Sequence, residues 1–77
     1  MGESKPSWLQ TGVTEIAVRA QERRARRLLL QGDLDGAIAA YDQIIGLDPD
    51  HAEAHYQLGL CYRQQRRWDD AVHAFSR

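Results

Sequence analysis

The sequence predicts an all-α protein, a helix-turn-helix solenoid of about two repeated units with the second cut short. Three observations carry this. Alanine, arginine, glutamine and leucine dominate from Glu15 onward, with little clustering of β-branched residues, which is the composition of helices. Apolar residues recur every three or four positions between turn-forming residues. Finally, the chain resembles itself when shifted by 34 residues.

Residues 1–13 are mixed and polar and include Pro6 and Gly12, so they read as a leader; Trp8, Leu9 and Val13 are apolar enough to dock on something. A helical pattern starts at Thr14, with Ile16, Ala17, Ala20, Ala25, Leu28 and Leu29 as its inward residues. It ends at Gly32, which suits a left-handed helix exit. Asp33 or Asp35 caps a second helix whose stripe is Ala37, Ile38, Tyr41, Ile44 and Ile45, and Pro49 stops it. Asp50, with Glu53 three residues on, reads as the capping box of a third helix directing Ala54, Leu58, Cys61 and Tyr62 inward. A fourth begins near Trp68-Asp69 and holds Ala71, Val72, Ala74 and Phe75. The organisation expected is therefore a leader over 1–13, a first hairpin over 14–51 and a shorter second hairpin over 52–77.

The 34-residue shift places Ala20 on Ala54, Ala25 on Gly59, Leu28 on Tyr62 and Gln31 on Gln65. It also places Leu34 on Trp68, Asp35 on Asp69, Ala37 on Ala71, Ile38 on Val72 and Tyr41 on Phe75. Small falls on small and large on large, which is what two helices need at a close crossing. Leu58-Gly59, Tyr62, Ala71 and Phe75, with Ala25, Leu28, Gly32, Ala37, Tyr41 and Pro49, resemble the signature of the tetratricopeptide repeat family over about residues 18 to 77. Several positions depart from it. Arg24 replaces the leucine equivalent to Leu58, which marks the first helix as an edge, as rotated, or as covered by the leader. Arg66-Arg67 replace Gly32-Asp33, which implies a strained non-glycine turn or another turn type. His55 and Gln21 stand where the family often has tryptophan.

The resemblance implies a non-enzymatic protein-interaction module whose groove is lined by the first helix of each repeat. Carried over position by position, the groove takes Arg19, Glu22, Arg23, Arg26 and Leu29 from the first unit. Glu53, Tyr56, Gln57, Leu60 and Arg63 follow from the second. Arg19, Arg23 and Arg26 share a helix face and can grip carboxylates, which points to an acidic peptide or protein segment. A solvated face paired with Glu15 and Glu22 explains the same residues blandly. Family members that clamp a C-terminal carboxylate use asparagines and lysines; Arg23 and Gln57 stand at the asparagine-type positions, and the chain has no asparagine.

The remaining signals are weaker. "RAQERRARR", residues 19–27, is cationic, but 10 basic and 11 acidic residues leave a net charge of −1, and no base-reading motif accompanies it, so no nucleic acid is expected. No apolar run approaches the roughly 18 residues of a membrane span, and the start lacks the apolar stretch of a signal peptide. With one cysteine no internal disulfide can form, and a cytoplasmic setting is the simplest reading. His51 and His55 lie one turn apart near acidic residues, without a third ligand at diagnostic spacing, and read as helix-start surface residues; no metal or cofactor is expected. Cys61 reads as a packing residue, Asp69-Asp70 as helix-start charges, and Trp68 as core because it matches Leu34.

A solenoid buries its faces only against neighbours. With fewer than two complete units, Val72 and Phe75 lack the following helix. The chain is therefore expected either to belong to a longer array or to form a homo-oligomer through Trp8, Val72 and Phe75. The alternative is a purely structural oligomerisation unit without an external peptide ligand.

Overall fold

The computed structural model describes the backbone of residues 7–76 and the side chains of residues 12–76. Four helices follow one another: α1 (Ser7–Leu30), α2 (Leu34–Leu47), α3 (Ala52–Gln64) and α4 (Trp68–Phe75). Among the described residues α1 packs on α2, α2 on α3 and α3 on α4, while no Cα atoms of α1 and α3 come within 8 Å. The result is an elongated body of 50 × 26 × 17 Å.

α1 starts at Ser7, so residues 7–13 belong to the first helix rather than to a separate leader. Gly12 interrupts nothing there, because a glycine inside a helix costs only about 1 kcal/mol. Val18 and Ala25 are buried, with Leu28 and Leu29 packed beside them. Ile16 and Ala20, expected inward, face solvent. At about 100° per residue, Ile16 lies roughly 200° from Val18, so one helix cannot bury both against a single neighbour.

The turn after α1 follows the Schellman pattern. Gly32 has φ +77°, its N–H donates to the Leu29 carbonyl at 3.0 Å, and Asp33 N–H donates to the Leu28 carbonyl at 2.9 Å. The turn after α3 is the same motif built without glycine. Arg66 has φ 60°, its N–H donates to the Arg63 carbonyl at 3.0 Å, and Arg67 N–H donates to the Tyr62 carbonyl at 2.8 Å. Of the two readings of Arg66, the strained turn is the one adopted. A left-handed non-glycine residue costs roughly 1–2 kcal/mol. Arg66→Gly is therefore expected to raise the unfolding free energy by about 1 kcal/mol, seen as a higher urea midpoint at unchanged slope. A lower midpoint would show that the Arg66 side chain contributes more than its backbone strain takes away.

Asp33 caps α2 by accepting from Gly36 N–H at 2.9 Å. α3 is capped by His51 and not by Asp50: His51 Nδ1 accepts from Ala54 N–H at 3.0 Å. Asp50 instead donates its own N–H to the Asp48 carboxylate at 3.3 Å, tightening the turn at Pro49. The helix thus begins one residue later than the acidic spacing suggested.

Ala37, Ile38, Ala40, Tyr41 and Ile44 of the central helix α2 form the middle of the core, between Ala25 of α1 and Ala54, Leu58 and Cys61 of α3. Ala25, Ala37, Gly59 and Ala71 are all buried, as helices in close contact require. Arg24 is exposed, because no helix lies on that side of α1. Trp68, expected in the core, is exposed. Leu34 gains cover from α3, and no further helix stands beside α4 to do the same for Trp68.

Candidate partner-binding groove

The separation of α1 from α3 leaves a shallow groove of about 320 Å³, lined by Leu29 of α1, Leu34 of α2, and Gln57, Leu60, Cys61 and Gln64 of α3. Its floor is apolar, and the two glutamines offer amides to a backbone. Of the expected groove residues, Leu29, Gln57 and Leu60 therefore line one cavity. Arg63 is exposed and is not among the lining residues. Arg19 and Arg23 are exposed on α1 and form no ion pair among the described residues.

The other expected residues are held by internal contacts. Arg26 Nη2 donates to Glu53 Oε1 at 3.3 Å, an exposed pair linking α1 to α3. Glu22, half-buried, lies 2.9 Å from His51 Nε2. His51 Nδ1 accepts from Ala54 N–H, so the network assigns the ring proton to Nε2, which donates to the carboxylate. His51 thereby caps α3 and ties it to α1. The pairing of Arg19, Arg23 and Arg26 with Glu15 and Glu22 along one helix does not form. Tyr56 turns away from the groove toward α4, its ring centroid 6.0 Å from that of Phe75.

His51 and His55 are not the surface residues the spacing suggested. His55 is buried, with Nε2 2.7 Å from the Pro49 carbonyl, which holds the α2–α3 turn against α3. Only the fold brings these partners together, since Glu22 and His51 are 29 residues apart. Among the described residues no three His, Cys, Asp or Glu side chains cluster as metal ligands.

Cys61 is free and buried, and burial pushes its thiol above the ordinary value, which makes it a packing residue rather than a nucleophile. Burial likewise raises the Tyr41 phenol, with smaller contributions from Cys61 and Glu53. The Arg67 guanidinium sits 4.6 Å over the Tyr62 ring and bonds the Asp70 carboxylate at 2.9 Å, closing the far side of the α3–α4 hairpin. The Asp42 carboxyl is raised by burial, an effect that nearby Arg67 partly offsets. No described helix is long and apolar enough to cross a membrane.

Recognition by apolar contact, amide hydrogen bonds and guanidinium groups is what this surface offers. Comparison with curated proteins and with solved structures gave no match. The tetratricopeptide repeat family model matches residues 17–77, which takes in most of α1 and all of α2, α3 and α4. With two successive hairpins closed by the same turn, and small residues at each close crossing, the chain belongs to the tetratricopeptide repeat family.

Proposed function

We propose that the chain is a binding module with two working surfaces. Tetratricopeptide repeats are protein-interaction units, and an all-α repeat of this kind works by presenting surfaces. The groove between α1 and α3 receives an acidic peptide or protein segment. The observation that carries this is the pair of guanidinium groups of Arg19 and Arg23, unpaired among the described residues, on the helix whose Leu29 forms the cavity wall opposite Gln57 and Leu60. Arg26 and Arg63 extend the cationic rim. The second surface is the free side of α4, where Val72 and Phe75 support self-association. Trp8, expected to join them, has its side chain outside the described residues.

A purely structural unit is the competing reading. It is favoured by Glu22–His51 and Arg26–Glu53, which spend two groove residues on internal contacts. Charge reversal separates the two. With a fluorescein-labelled peptide of alternating Asp and Glu, the variant carrying Arg19→Glu, Arg23→Glu and Arg26→Glu is expected to lose at least tenfold in affinity by anisotropy. Wild-type binding should weaken steeply with salt, as exposed charge attraction does. Assembly mass should be unchanged in the same variant. Equal affinity of variant and wild type would remove the groove reading and leave the structural one. Losing the exposed Arg26–Glu53 pair costs at most about 1 kcal/mol, and the like charges then set beside Glu53 and Glu22 are solvent-screened and cost about 0.5 kcal/mol each, so the variant is expected to fold.

A further inference from the structure

The chain contains a template for what fits on the free side of α4. Shifted by 34 residues, α2 falls on α4 and α3 falls on α1. At the internal α2–α3 junction, Gln65 Nε2 donates to the Asp35 carboxylate at 2.8 Å, and Leu34 and Cys61 line one cavity. On α4, Asp69 stands for Asp35, Trp68 for Leu34 and Val72 for Ile38. Trp68, Val72 and Phe75 are 58%, 65% and 44% exposed, and Asp69 has no hydrogen bond or ion pair among the described residues. On α1, Ala20 stands for Ala54, Arg24 for Leu58, Arg27 for Cys61 and Gln31 for Gln65, and all four are exposed. Val13 and Ile16, 60% and 70% exposed, continue this stripe at helical steps.

We propose that the free side of α1 in a second copy docks on the free side of α4, head to tail, repeating the α2–α3 junction between chains. The inference rests on the self-association reading and names its geometry. The two faces are complementary along their length when antiparallel. The amide of Gln31 takes Asp69, as Gln65 takes Asp35. Arg27 meets Trp68 where the internal junction has a thiol beside a leucine, and a guanidinium on an indole face is attractive. Arg24 and Arg27, unpaired among the described residues, face the acidic first turn that holds Asp69 and Asp70. Val13, Ile16 and Ala20 cover Val72 and Phe75. Arg24 lays its alkyl stem where Leu58 lies and keeps its charged head at the rim. Arg19 and Arg26 lie to one side of this stripe and Arg23 borders it next to Ile16.

A head-to-tail contact leaves a free head and a free tail on a pair of copies, so mass rises with concentration past the dimer instead of stopping at two. Light scattering coupled to gel filtration tests this with two variants at exposed positions, their folds checked by circular dichroism. Val72→Glu blocks the tail, and Ala20→Glu with Arg27→Glu blocks the head. Each variant alone is expected to be monomeric, and an equimolar mixture to give a dimer of one chain of each and nothing larger. In a second arm, Arg27→Asp and Asp69→Arg in the same chain should restore the concentration-dependent growth that each abolishes alone. If the head-blocked variant still dimerises and mixing adds nothing, α4 pairs with α4; the inference then fails while self-association stands. A wild-type chain that stays monomeric at millimolar concentration overturns both.

Discussion

Replacing Ile44 by alanine is expected to lower the unfolding free energy by about 2–5 kcal/mol. Ile44 is fully buried near the C-terminal end of α2, the one helix packed against both α1 and α3 among the described elements. Small helices on either side cannot collapse fully into the space it leaves, so the loss combines transfer of the missing methyl and methylene groups with the cavity behind them. At roughly 0.05–0.15 kcal/mol per residue, a chain of 77 residues has only about 4–12 kcal/mol in hand. The variant should therefore unfold at a much lower urea midpoint by circular dichroism, and at the upper end of the range it should be largely unfolded at 37 °C. A loss under about 1 kcal/mol would mean that the α1–α2–α3 core is far looser than the burial of Ile44 implies.

The second large effect is at the other hairpin. A Cβ at Gly59 would run into the Phe75 ring, so Gly59→Val must drive that ring off α3. Phe75 is partly exposed and has room to swing outward, but doing so gives up its contact with Tyr56 and its cover over the hairpin. We expect a loss of about 1–3 kcal/mol, the usual range for overpacking. The loss should be localised, with faster amide exchange in α4 and loss of Tyr56–Phe75 nuclear Overhauser contacts. Gly46→Ala is the control. It sits in the last turn of α2 with nothing within 4 Å of the new Cβ, and should gain about 0.5–1 kcal/mol from helix propensity. If both substitutions behave alike, the close approach at Gly59 is not what fixes α4.

The repeat was legible because its constraints are local and paired. Ala25 against Gly59 and Ala37 against Ala71 had to be small wherever two helices cross, and a fixed 34-residue period exposes that in the sequence. Gly32 was legible as a left-handed exit, whereas Arg66 left two turn types open, and its φ of 60° decides between them. What escaped depended on partners far along the chain. His51 outcompetes Asp50 as cap because Glu22, on another helix, orients its ring. Trp68 was expected in the core because the residue it copies is covered; whether a copy is covered depends on a neighbouring helix, which spacing within the unit does not encode. Val18 instead of Ile16 was a question of phase: both fit a loose helical stripe, and the actual position of α2 chose between them. The groove was legible in part. Leu29, Gln57 and Leu60 line it, whereas Glu22 and Arg26 were engaged by His51 and Glu53 across a contact no local pattern announces.

Among the described residues each helix backbone packs only on those adjacent to it in sequence, with the Glu22–His51 and Arg26–Glu53 side-chain pairs reaching from α1 to α3, and this governs how the chain acquires its shape as well as what the shape is. Loop closures are short, so little entropy is lost before the first native contacts form, and folding belongs on the timescale of about microseconds to milliseconds typical of low-contact-order helical proteins. Tension applied at the two termini would part the molecule first between α2 and α3, the least extensive of its helix–helix contacts, with the α1–α2 and α3–α4 hairpins opening afterwards. The chain behaves less like a globe that melts at once than like two clasps on a hinge, which come apart from each other before either one opens.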